Sequence, residues 1–155
     1  MINEEEIKYK TRDKEISYEY IRGLIDGEGC FTFCSIPTKE RLPAFVLGMS
    51  NRDKKLIETV RNKLGLRNEV NCYKPRMRKD GYNRMGMCIL TVRDVGQLKN
   101  KIVPLFYKNL VGYKADQFEE WIEKIGSDPL VPERYKFIHK IYKAGFYDKN
   151  PKYLD

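Results

Sequence analysis

Apolar residues recur at helical spacing in five segments of the chain. Four of the segments begin at a polar capping residue or a proline, and a glycine or proline lies close to the end of all five. The predicted helices span about 17–26, 53–64, 94–102, 114–125 and 132–144. Gly126 is expected to close the fourth helix, and Pro104 is expected to follow the third.

Short alternating runs rich in β-branched and aromatic residues lie between these helices and predict four strands, at about 30–36, 44–49, 69–74 and 87–92. A polar loop at 38–42 and a basic turn at 75–84 would connect the strands of each pair. Strand pairs that alternate with helices indicate an α+β fold, with an antiparallel sheet covered by helices on one face. We expect a single domain over 1–155, with a core of about 17–125 and a helical extension over 126–155.

Charge changes this picture by indicating a class of partner. The chain has 30 Lys and Arg against 22 Asp and Glu, a formal net charge of +8. Such an excess favours nucleic acid or an anionic membrane surface, although a basic protein without such a partner would have the same composition. No run of about 18 apolar residues and no secretory signal are evident, so we expect an intracellular protein without a membrane partner.

The cysteines are Cys30, Cys34, Cys72 and Cys88. In an intracellular compartment they are expected to be free thiols that fill small core or strand positions. Their spacing lacks a close Cys/His pair, and His139 is the only histidine, so a structural zinc site is not expected.

The segment 20–29, YIRGLIDGEG, carries the chemistry. Gly23 and Gly27 fall on one helix face, where small residues let a second backbone approach closely. Asp26 and Glu28 place two carboxylates at the helix end, and two such helices side by side would offer oxygen ligands to a hard divalent ion. A turn with solvated acids is the alternative. A calcium loop is excluded, because Cys30 and a proline occupy positions that need acids.

The run IRGLIDGEG at 21–29 resembles the signature of the LAGLIDADG homing endonucleases, with Arg22 in place of the usual small residue. The predicted element order over about 17–125 is similar to that family's αββαββα core. The resemblance implies a homodimer whose subunits pair through Tyr20, Gly23, Leu24 and Gly27. It also implies Glu28 and the Gly27 carbonyl as ligands of Mg²⁺, or of Mn²⁺ or Ca²⁺ in its place, with Asp26 mainly structural.

The same resemblance implies hydrolysis of double-stranded DNA at a long site with two related halves, leaving short 3′ overhangs and using no small-molecule cofactor. A basic residue near the active site corresponds best to Lys114, with Lys108 as the second choice. The position of the water-orienting residue falls at Met49, which cannot serve, so Ser50 or Asn51 would replace it.

A two-stranded ribbon fits the major groove, where alternate side chains reach the base edges. Phe31 and Phe33 are expected to face the helices, so the opposite face of the first strand would meet DNA. The candidate DNA-binding residues are Thr32, Cys34, Thr38, Lys39, Arg41, Asn71, Tyr73, Lys74, Arg76, Arg78, Lys79, Asn83 and Arg84.

Two other classes of function stay open at this point. An RNA-splicing maturase or a non-cleaving DNA-binding relative would share the fold, and a basic globular protein would carry DGEG only as a turn. Glu28 favours cleavage, because a carboxylate that faces phosphates repels them unless a cation lies between. The length is typical of a protein encoded in an intron or by an independent gene, and intron homing is the expected setting.

Overall fold

The structure, a computed structural model, describes residues 12, 14–75 and 86–154. The strands are β1 (Gly29–Ser35), β2 (Arg41–Ser50), β3 (Val70–Tyr73) and β4 (Met87–Val92). The helices are α1 (Tyr18–Glu28), α2 (Lys54–Leu64), α3 (Val95–Gln97), α4 (Val103–Phe106), α5 (Tyr113–Ser127), α6 (Glu133–Lys143) and α7 (Phe146–Lys149). A 3₁₀ turn over Asn51–Asp53 and a π-helical turn over Leu98–Ile102 complete these elements.

The strands form one sheet in the order β1-β2-β4-β3. In the β3–β4 pair, which is antiparallel, Val70 lies opposite Leu90 and Tyr73 opposite Met87. The predicted fold class, helices combined with an antiparallel four-stranded sheet, is therefore confirmed. The chain divides into two compact units, one built on Ser17–Val46 with Thr91–Asp155 and the other on Leu47–Leu90.

An aromatic cluster forms the centre of the unit built on Ser17–Val46 and Thr91–Asp155. The ring of Phe31 lies 5.0 Å from Phe118, 5.3 Å from Trp121 and 5.5 Å from Phe106, measured between centroids. Tilted and edge-on pairs of this kind each add about 1 kcal/mol beyond their buried area. Phe31 thus faces the helices, as predicted, and the indole N–H of Trp121 donates to the Thr32 carbonyl at 2.8 Å.

In the unit built on Leu47–Leu90, α2 packs on β3 through the apolar face that its sequence predicts. Ile57, Val60 and Leu64 are buried there. The helix ends at Gly65, whose φ of 64° is left-handed and whose N–H bonds to the carbonyls of Arg61 and Asn62. This is the C-terminal glycine that the sequence predicts.

Two glycines that were expected to end helices lie inside them. α1 runs on through Gly27 to Glu28, whereas Gly29, which was also expected to end it, is its C-cap as predicted. α5 continues past Gly126 to Ser127, and a Cβ at Gly126 would clash with the ring of His139 on α6. Gly126 therefore permits a close helix contact instead of ending the helix.

The prediction that Pro104 follows a helix is wrong, because Pro104 lies inside α4. The π-helical turn before it pairs the N–H of Val103 with Leu98, which leaves the Lys99 carbonyl without its usual helical donor. The hydroxyl of Tyr147 donates to that carbonyl at 3.0 Å. Pro104 has no N–H for the Asn100 carbonyl, which accepts from the side chains of Lys152 and Tyr153.

The free-thiol prediction is wrong for two cysteines. Cys72 and Cys88 lie directly opposite each other in the β3–β4 register and form a disulfide. Their separation of 16 residues gives no sign of this pairing, because register depends on the length and shape of the connecting turn. Cys30 and Cys34 are free, as predicted.

We expect that, when the protein is denatured without reductant, thiol titration detects Cys30 and Cys34 alone. Reduction should release both remaining thiols and lower the free energy of unfolding by about 3 kcal/mol, the chain-entropy value for a loop of this size. The Cys72→Ser/Cys88→Ser variant is the control, since reductant should leave its stability unchanged. Four reactive thiols before reduction would disprove the disulfide.

Candidate active site at the end of α1

One face of α1 anchors the helix in its unit. Ile21 and Ile25 are fully buried on this face, and Arg22 is only 4% exposed. The Arg22 guanidinium donates to the Leu105 carbonyl and to the Tyr153 carbonyl, both at 2.8 Å, and it also pairs with the Glu19 carboxylate. These acceptors offset the cost of burying a charge, which explains how Arg22 is accommodated at this position.

The other face of α1 is largely exposed in the described part of its unit. Tyr20 is 49% exposed, Gly23 and Gly27 are exposed, and Leu24 is half-buried. A Cβ added at Gly23 or Gly27 would meet no atom within 4 Å. The glycines therefore leave a shallow apolar surface open, and no contact within the described chain requires them.

Asp26 connects the end of α1 to the start of α5. Its two carboxylate oxygens accept the backbone N–H groups of Val111 and Gly112, each at 3.1 Å. Gly112 is the N-cap of α5, so its N–H has no acceptor within the helix. Asp26 accepts this N–H and places a negative charge near the positive helix end. This contact agrees with the structural role expected for Asp26.

Glu28 is the last residue of α1 and is exposed. Its carboxylate makes no hydrogen bond or ion pair with any residue that the structure describes. Lys114 lies in the first turn of α5, two residues after the Gly112 N–H that Asp26 binds, and is half-buried. The Asp26 contacts thus bring the elements that carry Glu28 and Lys114 to the same end of α1.

Lys108, the second choice for the basic residue, is engaged elsewhere. Its ammonium group lies 3.2 Å from the Asp148 carboxylate, which raises the pKa of Lys108, first through the hydrogen bond and then through the charge. Asp148 also accepts from the hydroxyl of Tyr107 at 2.7 Å. Lys114 has no such partner among the described residues, which favours it over Lys108.

A complete metal site is not found within the described part of one chain. No three His, Cys, Asp or Glu side chains come close enough there to hold an ion. Glu28 and the Gly27 carbonyl offer hard oxygen ligands, the donor type that Mg²⁺ prefers, but they form only part of a coordination shell.

The part of the chain that the structure describes contains no helix that is long and apolar enough to cross a membrane.

The candidate water-orienting residues lie in the unit built on Leu47–Leu90. Met49 and Ser50 end β2, and the Ser50 hydroxyl caps the 3₁₀ turn that follows. The Asn51 N–H donates to the Gly86 carbonyl at 2.8 Å, which fixes the backbone of Asn51. Its side chain is half-buried and borders a cavity.

Two candidate DNA-binding residues of the β3–β4 hairpin lie on one face of β3. Asn71 and Tyr73 are exposed, and their register partners on β4 are Ile89 and Met87. Met87 is 46% exposed and was missed in the sequence, although its place opposite Tyr73 puts it on the same surface. Five further candidates lie outside the described residues: Arg76, Arg78, Lys79, Asn83 and Arg84.

The candidates of the β1–β2 hairpin differ in how far they are engaged. Thr32 and Cys34 are half-buried on β1, and Thr38 and Lys39 are exposed in the connecting turn. Arg41 was placed in the loop by the sequence but begins β2 in the structure. Its guanidinium pairs with Asp128 at 2.7 Å and lies over the Phe33 ring, so contact with a base would require it to leave both.

The comparison with known proteins identifies the family. Residues 21–125 match the family described as LAGLIDADG endonuclease. Because the match covers more than half of the chain, the protein belongs to the LAGLIDADG endonuclease family. The match begins at the motif in α1 and ends within α5, so it includes Asp26 and both N–H groups that Asp26 binds.

Solved structures show the same fold. The LAGLIDADG homing endonuclease I-GzeII, in complex with its DNA target, is 22% identical, with a TM-score of 0.56 over 86% of this chain and 45% of its own. I-LtrWI bound to target DNA is 24% identical, with a TM-score of 0.58 over 85% of this chain and 46% of its own. The homing endonuclease I-TnaI is 22% identical, with a TM-score of 0.54 over 87% of this chain and 99% of its own. The chain thus spans about half the length of the first two and nearly all of I-TnaI.

We expect Asp26→Ala to lower the free energy of unfolding by about 1 kcal/mol, the usual cost of losing a helix cap. Urea denaturation would measure the change. Glu28→Ala is the matched control, because it removes an exposed carboxylate without a described partner from the same helix end and should change stability by less than about 0.5 kcal/mol. Equal losses in the two variants would contradict the capping role of Asp26.

Proposed function

We propose that this protein is a site-specific endonuclease that cleaves double-stranded DNA as a homodimer and depends on a divalent metal ion. The observation that carries the proposal is that the two acids at the end of α1 have different environments. Asp26 is used in holding α5, whereas Glu28 is exposed and makes no bond to a described residue. Membership of an endonuclease family and the net charge of +8 support the same function.

The open face of α1 supports the homodimer. Gly23 and Gly27 would let two α1 helices approach closely, with Tyr20 and Leu24 packing beside them. Val111 and Tyr113, which are 91% and 73% exposed, adjoin the N–H groups that Asp26 holds. They extend this apolar surface at the end of α1 where the second chain would lie.

Pairing of α1 helices would also bring two copies of Glu28 to one place. Glu28 and the Gly27 carbonyl of each chain would hold Mg²⁺, with further oxygen ligands from the partner chain and from DNA phosphates. When bound, such an ion acidifies water and offsets charge on the phosphate that is attacked. Lys114 would stabilise the same developing charge.

The substrate follows from the surface and from the symmetry. The exposed residues Asn71 and Tyr73 on β3, with Thr38 and Lys39 in the β1–β2 turn, would reach bases and phosphates. A dimer with two copies of this surface matches a DNA site with two related halves. Cleavage of both strands, one by each Glu28, would leave short 3′ overhangs. The structures of I-GzeII and I-LtrWI contain bound target DNA.

We expect the wild-type protein to cut members of a random DNA library with magnesium, and Glu28→Gln to cut none while it binds the same sequences. The amide keeps the size of the side chain but loses the charge that attracts a cation. Sequencing of cut and of bound fragments measures both steps. Glu133→Gln, which neutralises an exposed acid at the start of α6, is the control and should cut normally.

Three outcomes of this selection differ in meaning. Cutting by the wild type and by the Glu133 variant alone supports the proposal. Binding without cutting by all three proteins would point to a non-cleaving relative or a maturase. Full cutting by Glu28→Gln would remove Glu28 from the mechanism.

We expect Gly23→Leu to shift the protein from dimer to monomer in sedimentation analysis, because leucine on the open face would force paired α1 helices apart. The substitution should not impair folding, since a Cβ at Gly23 meets no atom within 4 Å and leucine favours the helix. Gly96→Leu, at an exposed glycine of α3, is the control and should remain dimeric. An unchanged dimer in the Gly23 variant would disprove this interface.

A further inference from the structure

The residues between α4 and α5, which we call the 107–112 connection, lead from a buried helix to the candidate site. Asp26 holds the last two of them through their N–H groups. A second carboxylate, that of Asp148 in α7, holds the first two. It accepts from the Tyr107 hydroxyl at 2.7 Å and from the Lys108 ammonium group at 3.2 Å. The cleavage chemistry proposed above gives no role to Asp148.

The start of the connection has a backbone conformation that needs support from other elements. Lys108 has a φ of 57°, in the left-handed region that residues other than glycine seldom occupy. A residue keeps such a conformation only where the surrounding contacts favour it. Asp148 binds the side chain of Lys108 and that of the preceding residue, Tyr107, so it stabilises the chain at this turn.

The burial of Tyr147 fixes the position of the neighbouring Asp148. Tyr147 is 3% exposed, and its hydroxyl donates to the Lys99 carbonyl at 3.0 Å. Its ring centroid lies 5.7 Å from that of Tyr107, which the ring of Tyr142 in α6 meets edge-on at 5.2 Å. The Asp148 carboxylate is itself exposed, but packed aromatic rings hold it beside the connection.

The first turn of α5 depends on the connection because burial does not hold this turn. None of residues 113–117 is buried, and Phe118 is the first residue of α5 that packs into the aromatic cluster around Phe31. Lys114 lies in this turn. Its position therefore depends on the two N–H bonds to Asp26 and on the path of the connection that carries these N–H groups.

We propose that Asp148 is a positioning residue for DNA cleavage. By fixing the start of the 107–112 connection, it keeps the last two N–H groups of the connection on Asp26 and keeps Lys114 at the candidate site. Small displacements of such a group cost large factors in rate. The inference rests on the proposed function, although the hold on the connection can be measured without cleavage. Asp148 lies outside residues 21–125, the part that matches the family.

The first measurement is amide hydrogen exchange at Val111 and Gly112, followed by NMR. In Asp148→Ala both amides should exchange roughly tenfold faster, because the connection opens locally more often. Asp26→Ala removes the acceptor itself and gives the upper limit. Glu120→Ala, which breaks an exposed ion pair within α5, is the matched control and should leave both rates unchanged. Asp148→Glu keeps the carboxylate and should restore protection.

The second measurement is single-turnover cleavage of a duplex obtained from the library selection. Asp148→Ala should cut it roughly tenfold more slowly but bind it equally well, because a displaced Lys114 loses contact only with the transition state. When Lys114→Ala is already present, the Asp148 substitution should slow cutting little further, since one residue acts through the other. Tyr107→Phe loses one of the two hydrogen bonds to Asp148 and should have a smaller effect in the same direction.

The outcomes separate the inference from the proposed function. Faster exchange at Val111 and Gly112 together with slower cutting supports the inference. Unchanged exchange, or faster exchange with unchanged cutting, overturns it, and cutting by the wild type leaves the proposed function intact. A uniform rise in exchange that includes Trp121 and Ile122 assigns Asp148 to overall stability and also overturns it. Failure of the wild type to cut any DNA overturns both.

Discussion

The two hydrogen bonds from Val111 and Gly112 to the Asp26 carboxylate determine the geometry of the candidate site. They join elements that are far apart in sequence, the end of α1 and the start of α5. A carboxylate suits this place because it meets N–H groups that have no helical acceptor and a helix end with partial positive charge. One acid of the motif is thereby used structurally, which leaves Glu28 as the acid available for chemistry.

Arg22 holds the same helix from its buried side. Its guanidinium binds the carbonyl of Leu105 in α4 and the carbonyl of Tyr153, and the Tyr153 hydroxyl reaches the Asn100 carbonyl that Pro104 leaves without an N–H. The C-terminal segment thus satisfies backbone groups freed by the π-helical turn and by a proline, and it is tied to α1 in doing so. An arginine can make these bonds together, whereas a small residue at position 22 could make none.

Much of the fold could be predicted because its causes are local. Ser17 caps α1, Gly65 ends α2 with a left-handed φ, and Asp94 accepts from Gln97, each at the predicted place. The errors depend on partners distant in sequence. Gly126 resembles a helix end until His139 of α6 packs against it, and the Cys72–Cys88 disulfide depends on the register of the hairpin.

The candidate site shows the same division between local and distant causes. The glycines and the two acids of α1 could be named from the motif, because their spacing alone puts them on one face and at one end of the helix. The binding of Asp26 to the N–H groups before α5, the burial of Arg22 and the pairing of Arg41 with Asp128 could not, because each depends on a tertiary contact. Sequence shows which side chains are chemically able to act, and the fold decides which of them stay available.

Under the proposed function, the one available carboxylate at the end of each α1 would make dimer formation and cation binding depend on each other. Two Glu28 side chains brought together along paired α1 helices repel each other, so the dimer without a cation carries an electrostatic cost at its own seam. A cation that binds both carboxylates removes that cost, and by reciprocity pairing raises the affinity of Glu28 for the cation by the same factor. DNA phosphates bound at the same place would add negative charge and increase that affinity further. Glu28 would therefore hold its ion most tightly in the DNA-bound dimer and weakly in the lone chain, which confines hydrolysis to the assembled complex.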